Sequence, residues 1–248
     1  MNKIYILWLR QIKRYLRSRS RIFGALGQPI LYFVALGYGL GAVFRQAGRG
    51  NYIDFIAPGI IGMSIIFTSI FSGMEVIWDR QFGFLKETLV APVPRFNIML
   101  GRTLGSATVA TFQGFLVMVI ATLFGFRPEH WWSLVAIIPC MLLMALMFTS
   151  LGTAIASVLS DMQGFQLIIQ FLVMPMFFLS GALYPLQGLP TALSIIVGIN
   201  PLSYGVDAFR QILIGAGHYN FAIDLSVLGV LSVVLIFVGS RLFNRIQV

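Results

Sequence analysis

Charge is scarce in this chain: of 248 residues, 10% are Asp, Glu, Lys or Arg and 58% are hydrophobic, with a mean hydropathy of +0.89. That leaves too little polar surface to coat a soluble domain of this length, so the chain reads as an integral membrane protein. Cysteine is nearly absent too. Cys140 stands alone in an apolar run, which excludes an internal disulfide framework and a thiol metal site. Only two histidines occur, His130 and His218, and both read as solvated interface residues. There is no HExxH pair for zinc and no GxxxxGK[ST] loop for nucleotide phosphates. Ser64 has no histidine at membrane depth to activate it. The expectation is a non-enzymatic chain with no catalytic, metal or cofactor residues of its own.

What charge there is has a pattern. The net charge of +9 and pI near 10.2 would suit nucleic acid, but the basic residues flank apolar runs instead of covering one face, which excludes a nucleic-acid partner. Seven of them fall between Lys3 and Arg21. There Ile4, Trp8, Ile12, Tyr15 and Leu16 line one helical face and the basic residues another, the pattern of a helix lying in the membrane interface over residues 1–21. A signal peptide is the rival. It fails because the next uncharged run, residues 22–44, exceeds an h-region of about 7 to 15 residues and no small-x-small site follows.

Uncharged length against the ~20 residues that cross a bilayer predicts six transmembrane helices, at residues 22–44, 55–77, 103–126, 134–158, 163–183 and 225–243. The uncharged stretch 162–206 is broken by Pro175, Pro185, Pro190 and Pro201. It is too interrupted for two ordinary spans, so residues 184–217 are expected to form an outer re-entrant hairpin between spans five and six, where protein or water satisfies broken backbone. The fold class is therefore all-α, a single polytopic membrane domain. With the N-terminus inside, cytoplasmic segments hold 13 Lys and Arg and outer segments 4, which places both termini in the cytoplasm. Gly37 and Gly41, and Gly101 and Gly105, have the spacing of close helix contacts. None of the six expected spans carries an ionisable residue near its middle, unlike ion-coupled carriers and proton pumps.

The long charged island, Glu75 to Arg102, lies between the second and third spans. Trp78, Phe82, Leu85 and Leu89 recur at helical spacing, so residues 78–89 predict a short amphipathic helix, kinked at Gly83 and stopped by Pro92 and Pro94. Lying outside two spans with a mixed-charge face, it is shaped to dock against another protein; a solvated loop is the alternative. On the outer side, Asn200 caps a helix begun by Pro201, and Asp207 and Arg210, three apart, are placed to pair. That helix, with Tyr204, is expected to act as a lid; mutual satisfaction at the surface is the alternative.

The stretch Asp79-Arg80-x-x-Gly83-x-Leu85-Lys86 followed by Pro92, with SGALYPLQGLP from Ser180 and NPLSYGVDAFRQ from Asn200, resembles the permease subunits of type-2 ATP-binding-cassette exporters, which include drug-resistance, nodulation-factor and polysaccharide export permeases. The resemblance covers nearly the whole chain. It implies an efflux permease of the bacterial inner membrane, a homodimer, served by two copies of a separate ATPase that binds the ATP and Mg. It also implies a coupling surface at Asp79, Arg80, Phe82, Gly83, Leu85, Lys86, Glu87, Pro92 and Arg95, and an outer lid at Asn200, Pro201, Tyr204, Asp207 and Arg210. The loop around Asp161 departs from a second coupling contact in having no Lys or Arg. An ion-coupled carrier or a non-transporting scaffold are the competing readings.

Overall fold

The computed structural model describes residues 3–46, 51–84 and 93–244, and among them the regular structure is entirely helical. The elements are α1 (Lys3–Arg17), α2 (Arg19–Tyr32), a π-helical stretch (Phe33–Tyr38), α3 (Gly41–Gln46), α4 (Tyr52–Phe71), α5 (Met74–Gln81), α6 (Arg95–Leu123), α7 (Ser133–Ala136), α8 (Ile138–Val158), α9 (Met162–Phe178), α10 (Thr191–Ile199), α11 (Pro201–Ile214) and α12 (Phe221–Asn244). The core is a bundle of α4, α6, α8 and α12, with α8 and α12 in the most extensive contact and α1 laid along α6.

Four segments are long and apolar enough to cross a bilayer: Tyr52–Gln81, Arg95–Leu123, Ser133–Val158 and Phe221–Asn244. A fifth arises if α10 and α11, bent by 86° at Asn200, count as one broken span. The six expected spans are thus not all found as single long helices. The first is divided into α2, the π-helical stretch and α3. The fifth stops at Phe178 after 17 residues, about 26 Å at 1.5 Å per residue, short of the ~30 Å hydrocarbon core. Pro175 lies in its last turn, and Gly181 beyond it takes φ +73°. The sixth starts earlier than hydropathy indicates: the Asn220 side chain accepts from Ala222 N at 2.9 Å, and Asp224 enters the first turn of α12, where an acid suits the helix dipole.

Local chemistry accounts for several of these boundaries. Asn51 caps α4, accepting from Ile53 N, and Asp161 caps α9, accepting from Gly164 N at 2.6 Å. Asn200 caps α11, accepting from Leu202 N at 3.1 Å, with Pro201 in its first turn. The helix expected over 78–89 is interrupted after Gln81: Gly83 takes φ +79° and helical backbone returns at Phe84, because the left-handed region breaks helical hydrogen bonding; residues 85–89 of that expectation lie outside the described residues. Close approach explains two other glycines. A Cβ on Gly101 would lie 2.9 Å from Leu7 Cβ and one on Gly105 2.7 Å from Gln11 Cβ, so the paired glycines of α6 seat α1 and the contact is within the chain.

Candidate functional site

The charged side chains collect at the two ends of α4–α5. Phe55 and Glu75 mark those ends, separated by about 30 Å of helix at 1.5 Å per residue.

At the Glu75 end, α1 is held on α6 by Trp8, which donates to Thr108 Oγ1 at 3.0 Å, and by Tyr15, whose hydroxyl donates to Gln113 Oε1. Burial pushes the Tyr15 phenol up to about 12, with Arg21 opposing, so it remains a neutral donor. This docking sets the basic face of α1 opposite α5. Glu75 accepts from Gln11 Nε2 at 3.0 Å, Arg14 Nη1 at 3.4 Å and Arg21 Nη1 at 2.8 Å. Sequence reasoning placed Glu75 only as the edge of the island and missed this hub. Its signal was a lone acid at a helix end facing a basic amphipathic helix.

Asp79 was expected on a docking surface. It is buried instead, paired with Arg102 of α6, which is equally enclosed. Meeting offsets part of the cost of removing two opposite charges from water, so Asp79 is an internal strut between α5 and α6. Arg102 Nη1 has no hydrogen-bond partner among the described residues. Around that strut the end of α5 presents its aromatics: Trp78, Phe82 and Phe84 are exposed, and the Trp78 and Phe82 rings lie 5.5 Å apart. With Arg10, Arg14 and Asp79 they line a cleft of about 400 Å³. Arg80 is half-buried. Gln81 Nε2 donates to Ser160 O at 3.0 Å, joining this end to the loop that Asp161 closes. Arg95 Nη1 donates to Asn244 O at 2.8 Å, so it braces α6 against the end of α12. Leu85, Lys86, Glu87 and Pro92 lie outside the described residues.

At the Phe55 end, the expected Asp207–Arg210 pair does not form. Arg210 donates to Gly181 O at 3.1 Å and Phe55 O at 3.4 Å, its guanidinium 4.3 Å over the Phe55 ring. Asp207 accepts from His218 N at 2.8 Å and Tyr219 N at 2.8 Å, and from Gln211 Nε2 at 3.0 Å. Asp207 and Arg210 are both buried, at 1% and 7% exposure, where backbone groups left unsatisfied are costly and charge-assisted bonds to them are strong. Arg210 therefore ties α11 to α4 and to the turn after α9, while Asp207 folds the loop leading into α12. Gln211 Nε2 also donates to Asp224 at 2.7 Å, a bridge that was not foreseen. Asn200 Nδ2 donates to Met176 O at 2.7 Å, and Tyr204 hydroxyl donates to Gly198 O at 2.7 Å while its ring stacks on Tyr219.

Arg102 and Asp224 are ionisable groups buried in membrane-length helices; each lies toward a helix end and not at its middle, where the sequence leads us to expect none. The described residues contain no group of three His, Cys, Asp or Glu placed to hold a metal.

The ABC-2 type transporter family profile matches residues 2–214. Nodulation protein J of Rhizobium leguminosarum bv. viciae is 27% identical over 242 residues, covering 96% of this chain and 93% of its own. Inner membrane transport permease YadH of Escherichia coli (strain K12) is 27% identical over 244 residues, covering 96% and 93%. The putative transport permease ycf38 of Cyanophora paradoxa is 26% identical over 262 residues, covering 99% and 89%. The docked amphipathic helix, the all-helical bundle with membrane-length helices and a family match over most of the length agree: this chain belongs to the ABC-2 type transporter family.

Proposed function

We propose that this chain is the transmembrane permease subunit of an ATP-binding-cassette exporter in the bacterial inner membrane, moving a hydrophobic or amphipathic substrate out of the cytoplasm. Drugs, lipids and lipid-linked glycans would all suit an apolar, aromatic-rich pathway in a chain of 58% hydrophobic and 14% aromatic residues. ATP and Mg are bound and hydrolysed on a separate ATPase, two copies of which serve a homodimer of this chain. Both termini, α1 and the Glu75 end lie in the cytoplasm, and six membrane crossings are completed by α2–α3 and by α9, neither of which is a single long helix.

The observation that carries this reading is the mount at the end of α5. The buried Asp79–Arg102 strut fixes α5 to α6 while Trp78, Phe82 and Phe84 project beside Arg10 and Arg14. Aromatic and arginine side chains on a rigid base are what a protein interface uses as anchors. A push from the ATPase there is transmitted to α6 and, through Arg95, to α12. Leu85, Lys86, Glu87 and Pro92 continue this coupling surface with Arg80 and Gly83. At the other end Asn200, Pro201, Tyr204, Asp207 and Arg210 form the outer lid, closed by backbone contacts to α4, α9 and the loop before α12.

The homodimer rests on α9. Gln163, Gln166 and Gln170 are exposed at spacings of three and four, hence on one face, beside Leu167 and Phe171, the latter 85% exposed. Amide side chains facing lipid are costly, and a second copy with a path between the two relieves that cost.

The buried carboxylates Asp207 and Asp224 favour the rival reading, an ion-coupled carrier. The two separate on one experiment: reconstitution with the copurifying ATPase in vesicles. Transport that requires ATP hydrolysis and ignores proton or sodium gradients supports the permease. Gradient-driven transport without the ATPase overturns it.

A further inference from the structure

Between α1, α2, α4 and α6 lies a cavity of about 420 Å³ with chemically distinct ends. At one end Arg14 and Arg21 converge on Glu75. Two guanidiniums against one carboxylate leave a net positive charge. The Arg14 contact is long, at 3.4 Å, and the Arg14 and Arg21 side chains keep 36% and 49% of their exposure, so both retain donors for another anion. At the other end Met63, Phe67, Phe71 and Val109 make an apolar floor. Ser64 lines the same cavity at 4% exposure, and its hydroxyl has no hydrogen-bond partner among the described residues. A buried hydroxyl left unmatched costs free energy unless something in the cavity meets it.

We propose that this cavity binds one anionic, phosphate-bearing amphiphile, a binding site beyond the coupling and lid roles above. The phosphate sits between Arg14 and Arg21, whose planar forks match its oxygens. The glycerol backbone crosses Phe71, the Ser64 hydroxyl, about 16 Å of helix from Glu75, donates to an ester oxygen, and the first part of the acyl chain covers Phe67 and Met63. Glu75 occupies the guanidiniums when the site is empty and competes with the incoming anion. The arrangement therefore predicts opposite signs for substitutions on the two sides of one ion pair.

The test is native mass spectrometry of the full chain in detergent, titrated separately with dioctanoyl phosphatidylglycerol, dioctanoyl phosphatidylcholine and inorganic phosphate. The expected result is one phosphatidylglycerol per chain, with phosphatidylcholine at least about tenfold weaker. Glu75→Gln tightens phosphatidylglycerol binding, and Arg14→Gln with Arg21→Gln weakens it about tenfold. Val109→Trp fills the floor without touching the ionic network, so it weakens the lipid and leaves inorganic phosphate unaffected; it keeps the proposal testable if an ionic variant fails to fold. Equal binding of the two lipids, or weaker binding by folded Glu75→Gln, overturns the site. Inorganic phosphate that binds as tightly as phosphatidylglycerol, indifferent to Val109→Trp, overturns the amphiphile and makes a free anion the ligand. No ATPase is present in this measurement, so a negative result leaves the permease reading standing.

Discussion

Asp79 of α5 and Arg102 of α6 form an ion pair enclosed on both sides, at 4% and 6% exposure. It joins the element expected to meet the ATPase to the longest helix of the bundle. Removing one partner strands a buried charge, which costs about 3–5 kcal/mol, whereas an apolar pair of similar volume is often tolerated. Asp79→Leu and Arg102→Met should each lower the thermal unfolding midpoint in detergent, and the double variant should recover most of the loss. A double variant as unstable as the sum of the singles would show that the two residues act independently.

The aromatic mount should be an energetic centre of ATPase docking. Trp78→Ala and Phe82→Ala should each weaken association with the ATPase about tenfold, the scale of an interface anchor, with little change in the fold because both rings are exposed. Arg80→Ala should have a smaller effect of the same sign. Pull-down of the ATPase at graded concentrations measures it, and normal association in all three variants would leave this end as a solvated surface.

The Asp207 and Arg210 contacts reverse what pairing would predict. Since Arg210 serves Gly181 O and Phe55 O, and Asp207 serves the amides of His218 and Tyr219, exchanging them rescues nothing. Asp207→Arg with Arg210→Asp should be recovered in lower yield than either single alanine variant. Recovery above the singles would restore a direct ion pair.

Asn200→Ala removes a helix cap and the donor to Met176 O together. The loss should be about 1–2 kcal/mol for the cap, with the carbonyl of Met176 adding to it. Asn200→Asp keeps the cap and loses the donor, so its unfolding midpoint should fall between alanine and the parent.

Orientation is read by labelling. With Cys140→Ser as background, cysteines at Gln46 and His130 should react with a membrane-impermeant thiol reagent in intact cells, and one at Gln81 should not. All three positions lie outside the buried core. Reaction at Gln81 with protection at Gln46 and His130 would invert the topology.

What the sequence by itself determined is local in origin. Uncharged length made this a membrane protein; alternation of basic and apolar residues made α1 amphipathic; and Asn200-Pro201 set the start of α11 within one turn, because caps and proline act on adjacent backbone. Glycines four apart on α6 announced a close helix contact, though not that α1 would fill it. Tertiary structure alone decided which charges meet. Arg14 and Arg21 find Glu75, and Arg102 finds Asp79, only once α1, α5 and α6 lie side by side, and nothing in the spacing of the basic residues distinguishes Arg14 from Arg17. The same holds where the sequence misled. Asp207 and Arg210 are near neighbours on one helix face, so spacing favours their pairing. Burial reverses that preference, because the carbonyls of Phe55 and Gly181 and the amides of His218 and Tyr219, brought in from distant or looped chain, would otherwise go unsatisfied, at a cost of about 1–3 kcal/mol each.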